Sequence, residues 1–251
     1  DEGEECVLVC DEDEKNLRGI LTERDFISKG ITYLEELGSE FYDLPAYQLM
    51  TSAPTELRLD SHVAEALQLM ARGEFRHFPI YDEQQGLYLL LSGKSLLAYI
   101  RDLFPKQIKN KGTKLNWDLV EVHAQEEDFE YYSRDDQISG NIFLGPLKKA
   151  IYQEAHCCDL NWRLESVLGK MREEKVGALV MTQYESMVKG IFTERDFIGL
   201  LAKDNWPALK KKKIFEFMTK DPGTLLERHI VSYAINNMIV QDHRRSIIVN
   251  E

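Results

Sequence analysis

A nine-residue segment occurs twice in this chain. Residues 19–27 read Gly-Ile-Leu-Thr-Glu-Arg-Asp-Phe-Ile, and residues 190–198 repeat eight of these nine positions at a distance of 171 residues. A second pair, Met50-Thr51 and Met218-Thr219, lies 168 residues apart. Two matches at nearly the same offset indicate an internal duplication, so the two halves of the chain must fold in related ways.

Each half is itself double. A shift of 101 residues places Leu67, Met70 and Ser92 on Leu168, Met171 and Thr193. The chain therefore contains four related repeats, of which only the second and third look complete. We assign residues 1–44 to the second half of repeat 1, 45–105 to repeat 2, 106–155 to a linker or insertion, 156–205 to repeat 3, and 206–251 to the first half of repeat 4.

Repeat 2 shows the order of elements within a unit. Its pattern predicts a helix through 63–70, a buried strand at 78–81, a hairpin turn, a partner strand at 87–91 and a closing helix at 95–103. This order is β-α-β-β-α, which belongs to the α+β class. Repeat 1 begins at its hairpin, with strands predicted at 7–9 and 20–21, and repeat 4 ends at 247–249. The linker matches no other segment, and we expect a helix in it at 147–153.

Composition and charge exclude several classes of function. With 31 Lys+Arg against 43 Asp+Glu, the net charge is −12, which disfavours nucleic acid as a partner. No run approaches the roughly 20 apolar residues that span a bilayer, and the acidic N-terminus lacks the pattern of a signal peptide, so we expect a cytoplasmic protein. The four cysteines are too few for a disulfide framework, and we expect them to be small buried side chains.

Catalysis has little support in the sequence. No His or Cys pattern has the spacing of a metal site, and no nucleophile is paired with a base at a recognisable spacing. We therefore expect no enzyme activity, no metal and no catalytic cofactor.

The duplicated motif allows two interpretations. Thr22 and Thr193 stand where a strand gives way to a helix, and Asp25 and Asp196 fall in the first helical turn. Such residues can simply start a helix. They can also bind a ligand, because free N–H groups and a hydroxyl attract an anion, and a carboxylate accepts hydrogen bonds from the hydroxyls of a ribose.

Four β-α-β-β-α repeats with the pattern Gly-hydrophobic-x-Thr-x-x-Asp strongly resemble cystathionine-β-synthase (CBS) domains paired into two Bateman modules. The four-repeat arrangement is most similar to the γ regulatory subunits of AMP-activated protein kinase. The resemblance covers nearly the whole chain apart from residues 106–155. It implies that the Asp of each competent repeat binds the ribose of AMP, ADP or ATP, and so assigns ribose binding to Thr22, Asp25, Thr193 and Asp196.

The same resemblance implies where the phosphates bind. It assigns phosphate contacts to Arg76, His77, Lys94, Arg244 and Arg245. Repeat 2 departs from the pattern, because Ser95 stands where the Asp is expected, and we predict that its site is empty. The γ subunits share this departure and carry a phosphate-facing lysine that Lys94 matches. The corresponding Thr and Asp of repeat 4 would fall beyond Glu251.

Two functions follow as expectations. The first is a regulatory adenine-nucleotide sensor that transmits its occupancy to a partner protein, which is a kinase, another regulated assembly or a second copy of the chain. The second is a scaffold protein that keeps the fold but has degenerate ligand sites. The degenerate second site and the 50-residue insertion at 106–155 favour the second function.

Overall fold

The computed structural model describes residues 6–12, 16–73, 75–103, 145–150, 153–184, 187–203 and 205–250. The predicted linker at 106–155 lies outside these residues except for 145–150 and 153–155.

Repeat 1 begins with the predicted hairpin. Strands β1 (Cys6–Cys10) and β2 (Leu17–Thr22) are antiparallel, with Cys6 opposite Thr22. A continuous helical segment follows, and the short strand β3 then returns antiparallel to β2. In order, these elements are α1 (Glu23–Asp25), a π-helical turn (Phe26–Gly30), α2 (Ile31–Leu37), a 3-10 turn (Gly38–Asp43), α3 (Ala46–Leu49) and β3 (Thr51–Ser52).

Repeat 2 has the elements that its hydrophobic spacing predicts. They are α4 (Val63–Gly73), β4 (His77–Asp82), β5 (Leu87–Ser92) and α5 (Gly93–Leu103). Strands β4 and β5 pair with each other. The buried carboxylate of Asp82 closes the turn between them, since its Oδ1 accepts the N–H groups of Gln84 and Gln85 at 2.8 and 3.1 Å.

Repeat 3 forms a sheet in the order β6-β7-β8-β9, in which β6 is parallel to β7 and the other neighbours are antiparallel. Strand β9 comes from the start of repeat 4, just as β3 joins the sheet of repeat 1. The elements are β6 (Cys157–Asp159), α6 (Leu164–Glu173), β7 (Ala178–Gln183), β8 (Met187–Thr193), α7 (Glu194–Leu201) and α8 (Trp206–Leu209).

Repeat 4 ends in a parallel pair of strands that flank a helix. Its elements are a 3-10 turn (Ile214–Glu216), β9 (Thr219–Lys220), β10 (Thr224–Leu226), α9 (Val231–Val240) and β11 (Ile247–Val249). Helices and strands thus alternate through all four repeats, and the α+β prediction is confirmed.

Two expectations from the sequence are wrong. Residues 147–153 do not form the expected helix: a single 3-10 turn covers Leu147–Lys149, and residues 151–152 are outside the described residues. The N–H groups of Leu147 and Lys148 bond instead to the carbonyls of His229 and Glu227, which commits this backbone to repeat 4. Cys157 is exposed because neighbouring residues of a strand face opposite sides, and Cys158 takes the buried side of β6.

The chain divides into two compact units. The first comprises residues 1–90 and 155–222, and the second comprises residues 91–154 and 223–251. In the first unit, repeats 1 and 3 share one hydrophobic core, to which Leu34, Phe41, Leu168 and Phe197 belong. In the described part of the second unit, a smaller cluster is formed by Leu147, Leu225 and Ala234.

Candidate functional site

The duplicated motif has the same local geometry in both copies. At Thr193 the strand β8 ends in an extended conformation, and α7 begins at the next residue. The N–H and the hydroxyl of Thr193 both donate to Oδ2 of Asp196 at 2.8 Å, and Thr22 donates to Asp25 in the same way at the same distances. Each motif is therefore a helix start in which one carboxylate oxygen is already bonded.

A methionine lies directly on the glycine of each motif. A Cβ placed on Gly190 would be 2.3 Å from the Sδ of Met218, and one placed on Gly19 would be 2.4 Å from the Sδ of Met50. The close approach requires glycine, because distances this short are sterically forbidden to a side chain. Sequence reasoning found the two Met-Thr pairs but did not place them in the site. Their shared offset with the motif was the available signal.

The two aspartates differ in their surroundings. Asp25 is 5% exposed, and its Oδ1 accepts a hydrogen bond from the Thr51 hydroxyl at 3.0 Å. The amino group of Lys29 lies 3.5 Å from the same oxygen. Asp196 is half-buried, and within the described residues its side chain has no donor other than Thr193. Its Oδ1 therefore remains open to a ligand.

Arg76 lies beside the motif of repeat 3. Its Nη2 is 3.0 Å from Oε2 of Glu194, whose side chain is only 2% exposed. The Nε of Arg24 approaches the other oxygen of Glu194 at 3.4 Å. Two guanidinium groups thus meet at the first residue of α7, two positions before Asp196. His77, the next predicted phosphate contact, is half-buried at the start of β4.

A reciprocal ion pair joins the two copies of the motif. Arg24 of repeat 1 pairs with Glu194 of repeat 3, and Arg195 of repeat 3 pairs with Glu23 of repeat 1, with an Nε to Oε1 distance of 3.1 Å in the second pair. The contact between α1 and α7 is therefore approximately two-fold symmetric, with the same residues on each side.

The remaining predicted phosphate contacts lie in the second unit. Lys94 forms an ion pair with Asp242, and Arg244 and Arg245 follow Asp242 closely in the same loop. Burial lowers the pKa of His243 in this loop, so its imidazole is neutral near pH 7 and the positive charge comes from the lysine and the arginines.

Repeat 2 keeps the helix start without the carboxylate. The hydroxyls of Ser92 and Ser95 are 2.9 Å apart, and the N–H of Ser95 donates to Oγ of Ser92. The capping contact is therefore preserved, while no acceptor able to take both ribose hydroxyls stands at this position. That the repeat 2 site is empty stays a prediction.

The part of the chain that the structure describes contains no group of three or more His, Cys, Asp or Glu side chains placed to hold a metal ion. None of its helices is both long enough and apolar enough to cross a membrane.

Comparison with known proteins identifies the repeats. The family model for the CBS domain matches residues 46–102 and 151–203, which contain repeats 2 and 3. This chain is a CBS-domain protein. The predicted family is thereby confirmed, and CBS domains support a regulatory module.

Curated relatives with CBS domains extend the match. The CBS domain-containing proteins CBSCBSPB5 and CBSCBSPB4 of Arabidopsis thaliana are each 28% identical over 217 residues, which is 82% of this chain and 37% of theirs. CBSCBSPB1 of the same plant is 25% identical over 230 residues, or 90% of this chain and 41% of its own. The chain thus spans about two fifths of the length of these relatives.

Two solved structures share the fold over almost the whole chain. Protein MJ1225 from Methanocaldococcus jannaschii, described as a proposed archaeal homologue of the γ subunit of AMP-activated protein kinase, has a TM-score of 0.72 at 16% identity. The match covers 98% of this chain and 82% of MJ1225. A conserved protein from Pyrococcus horikoshii has a TM-score of 0.57 at 14% identity, over 98% of this chain and 83% of its own. The CBS fold therefore includes repeats 1 and 4, which the family model does not match.

Proposed function

We propose that this CBS-domain chain is a regulatory module of the cytoplasm that binds AMP, ADP or ATP and transmits its occupancy to a partner protein. The observation that carries the proposal is the half-buried carboxylate of Asp196, which has one oxygen open and lies close to the guanidinium of Arg76. A ribose hydroxyl can donate to that oxygen, and an arginine near the same helix start suits a phosphate.

The charges around this site favour an anionic ligand over a neutral one. Arg24 and Arg76 share the single carboxylate of Glu194, so the three side chains carry a net positive charge. A phosphate group that approached Arg76 would meet a partly exposed guanidinium, since its side chain is 28% exposed. A nucleotide can therefore satisfy both features of the site, with its ribose on Asp196 and its phosphate on Arg76.

Transmission to a partner requires no catalysis by this part of the chain. A partner that binds one occupied state more tightly than another converts nucleotide occupancy into a shift of population, by as much as the difference between its two affinities. The partner in this proposal is a kinase, another regulated assembly or a second copy of the chain.

Isothermal titration of the full chain with AMP and with ATP tests the proposal. Asp196→Ala removes a charged acceptor, whose hydrogen bonds contribute about 1.5–3 kcal/mol, so we expect its dissociation constant to rise roughly 10- to 100-fold. Ser95→Ala is the matched control at the corresponding position of repeat 2, and it should leave the affinity unchanged. Absence of heat with either nucleotide, or equal effects of the two substitutions, would refute the assignment.

A scaffold function is the second candidate, and two contacts favour it. Arg76 and Lys94, which the resemblance assigns to phosphates, are paired with the carboxylates of Glu194 and Asp242. A chain that had lost ligand control would retain such internal pairs. Mass spectrometry of small molecules released from the purified full chain separates the two candidates, because a nucleotide sensor should release adenine nucleotide and a scaffold should not.

A further inference from the structure

Lys29 distinguishes repeat 1 from repeat 3. Its amino group donates to the carbonyl oxygens of Leu49 and Met50, each at 2.7 Å, and lies 3.5 Å from Oδ1 of Asp25. The residue 171 positions later is Leu200, which packs against the hydrophobic core. A cation next to the aspartate in one repeat is thus replaced by an apolar side chain in the other.

Lys29 and its neighbours fill the acceptor positions of Asp25. Oδ2 accepts the N–H and hydroxyl of Thr22, while Oδ1 accepts the Thr51 hydroxyl and faces Lys29. A carboxylate has about four lone-pair sites, so these four donors saturate it. A ribose could bond to Asp25 only by displacing Thr51 and Lys29 from a side chain that is 7% exposed.

The surrounding backbone does not explain the difference. Both motifs bring a methionine against the glycine at nearly the same distance, and both aspartates bond to their own threonine in the same way. Thr51 and Thr219 are also the same residue type at equivalent positions. Of the side chains that contact Asp25, Lys29 alone has no counterpart of the same type around Asp196.

We propose that Lys29 closes the ribose site of repeat 1. Asp25 is then a structural residue that ties the start of the first helical segment to the Met50-Thr51 segment, and nucleotide binding by the first unit depends on Asp196 alone. The ligand side of this inference rests on the proposed function, whereas the structural role of Asp25 does not.

Exchange of the two residues tests the ligand side. We expect Lys29→Leu to raise the AMP stoichiometry of the full chain by one in isothermal titration, and Asp25→Asn in that background to remove the added site. Leu200→Lys should weaken wild-type AMP binding at least tenfold, because it places the same cation beside Asp196. The inference is wrong if Asp25→Asn alone weakens AMP binding as much as Asp196→Asn does.

Thermal melting without nucleotide tests the structural side. Asp25→Asn loses its contact with Lys29 and part of its charge-assisted bonding, so we expect its melting temperature to fall by roughly 4–8 °C, while Asp196→Asn should shift it by less than about half as much. Equal shifts would overturn the structural role. If the wild-type chain binds no nucleotide, the proposed function fails, and the melting comparison alone decides whether Lys29 holds Asp25.

Discussion

Gly190 is where a side chain of one segment rests directly on the backbone of another. Met218 lies over it, and the carbonyl oxygen of Thr219 would be 2.9 Å from an added Cβ. The glycine of the motif therefore has a packing role that is independent of any ligand. The Thr and Asp that follow can start a helix in every repeat, while only some repeats keep an open carboxylate.

Alanine substitution tests this packing role. Gly190→Ala forces Met218 and the backbone at Thr219 to move, and we expect the free energy of unfolding to fall by about 1–3 kcal/mol. Gly199→Ala is the control, because a Cβ there meets nothing within 4 Å and lies inside α7, where alanine is favoured by up to about 1 kcal/mol. Urea denaturation of both variants measures the difference. Equal destabilisation would contradict the close approach.

Single residues of the site were predictable only in part. The bond between each Thr and its Asp follows from their spacing of three residues at a helix start. The role of Lys29 depends on the carbonyls of Leu49 and Met50, twenty residues away in the chain, and no local pattern predicts such a contact. The available signal was the point where the two copies diverge, from Ser28-Lys29 to Gly199-Leu200.

At the scale of elements, helices α1 and α7 meet through the reciprocal ion pairs of the motif. The two pairs are chemically identical but differently buried. Glu194 is 2% exposed and contacts both Arg24 and Arg76, whereas Glu23 is 11% exposed and its partner Arg195 is 41% exposed. Removal of the more buried carboxylate leaves two cations without it and should perturb the contact more.

We therefore expect Glu194→Gln to lower the free energy of unfolding by about 1–3 kcal/mol. Glu23→Gln, the same substitution in the other copy of the motif, should lower it by about 1 kcal/mol or less, because its pair is partly solvated. Chemical denaturation at low and high salt compares them, and the smaller effect should also weaken with salt. A larger loss for Glu23→Gln would show that burial does not decide the strength of these pairs.

Elements with strong periodicity were predicted well, and the failure lies where the backbone bonds elsewhere. The predicted helices and strands of repeat 2 are present because their apolar spacing matches the faces that they bury. The helix expected at 147–153 is replaced by one turn, since the amide groups of Leu147 and Lys148 bond to the carbonyls of residues 229 and 227. A helix propensity is too weak to oppose such tertiary hydrogen bonds.

At the scale of the whole molecule, the two units differ in the quality of their described cores. Helix α6 in the first unit buries Leu164, Val167, Leu168 and Met171 completely. Helix α9 in the second unit buries Ser232 and Asn237, whose Oγ and Oδ1 have no hydrogen-bond partner among the residues that the structure describes. Buried polar atoms without partners lower stability, so the second unit should open more readily.

Hydrogen exchange of the full chain tests this difference. Helices α6 and α9 each contain ten residues, which makes them a matched pair. We expect the amides of α9 to exchange at least about tenfold faster than those of α6, which corresponds to a difference of about 1.4 kcal/mol in opening free energy. Equal protection would show that the chain opens as one cooperative unit.

The covalent joining of two motif copies has a consequence for the response to a ligand. In a symmetric pair of identical chains, a lysine at position 29 would stand beside both aspartates or beside neither. One continuous chain encodes the two positions separately, so one copy can keep its carboxylate for packing while the other presents it to ligand. In the first unit, a pair built in this way has a single site to fill. Its saturation curve is hyperbolic, and it reports nucleotide concentration in graded steps rather than as a switch.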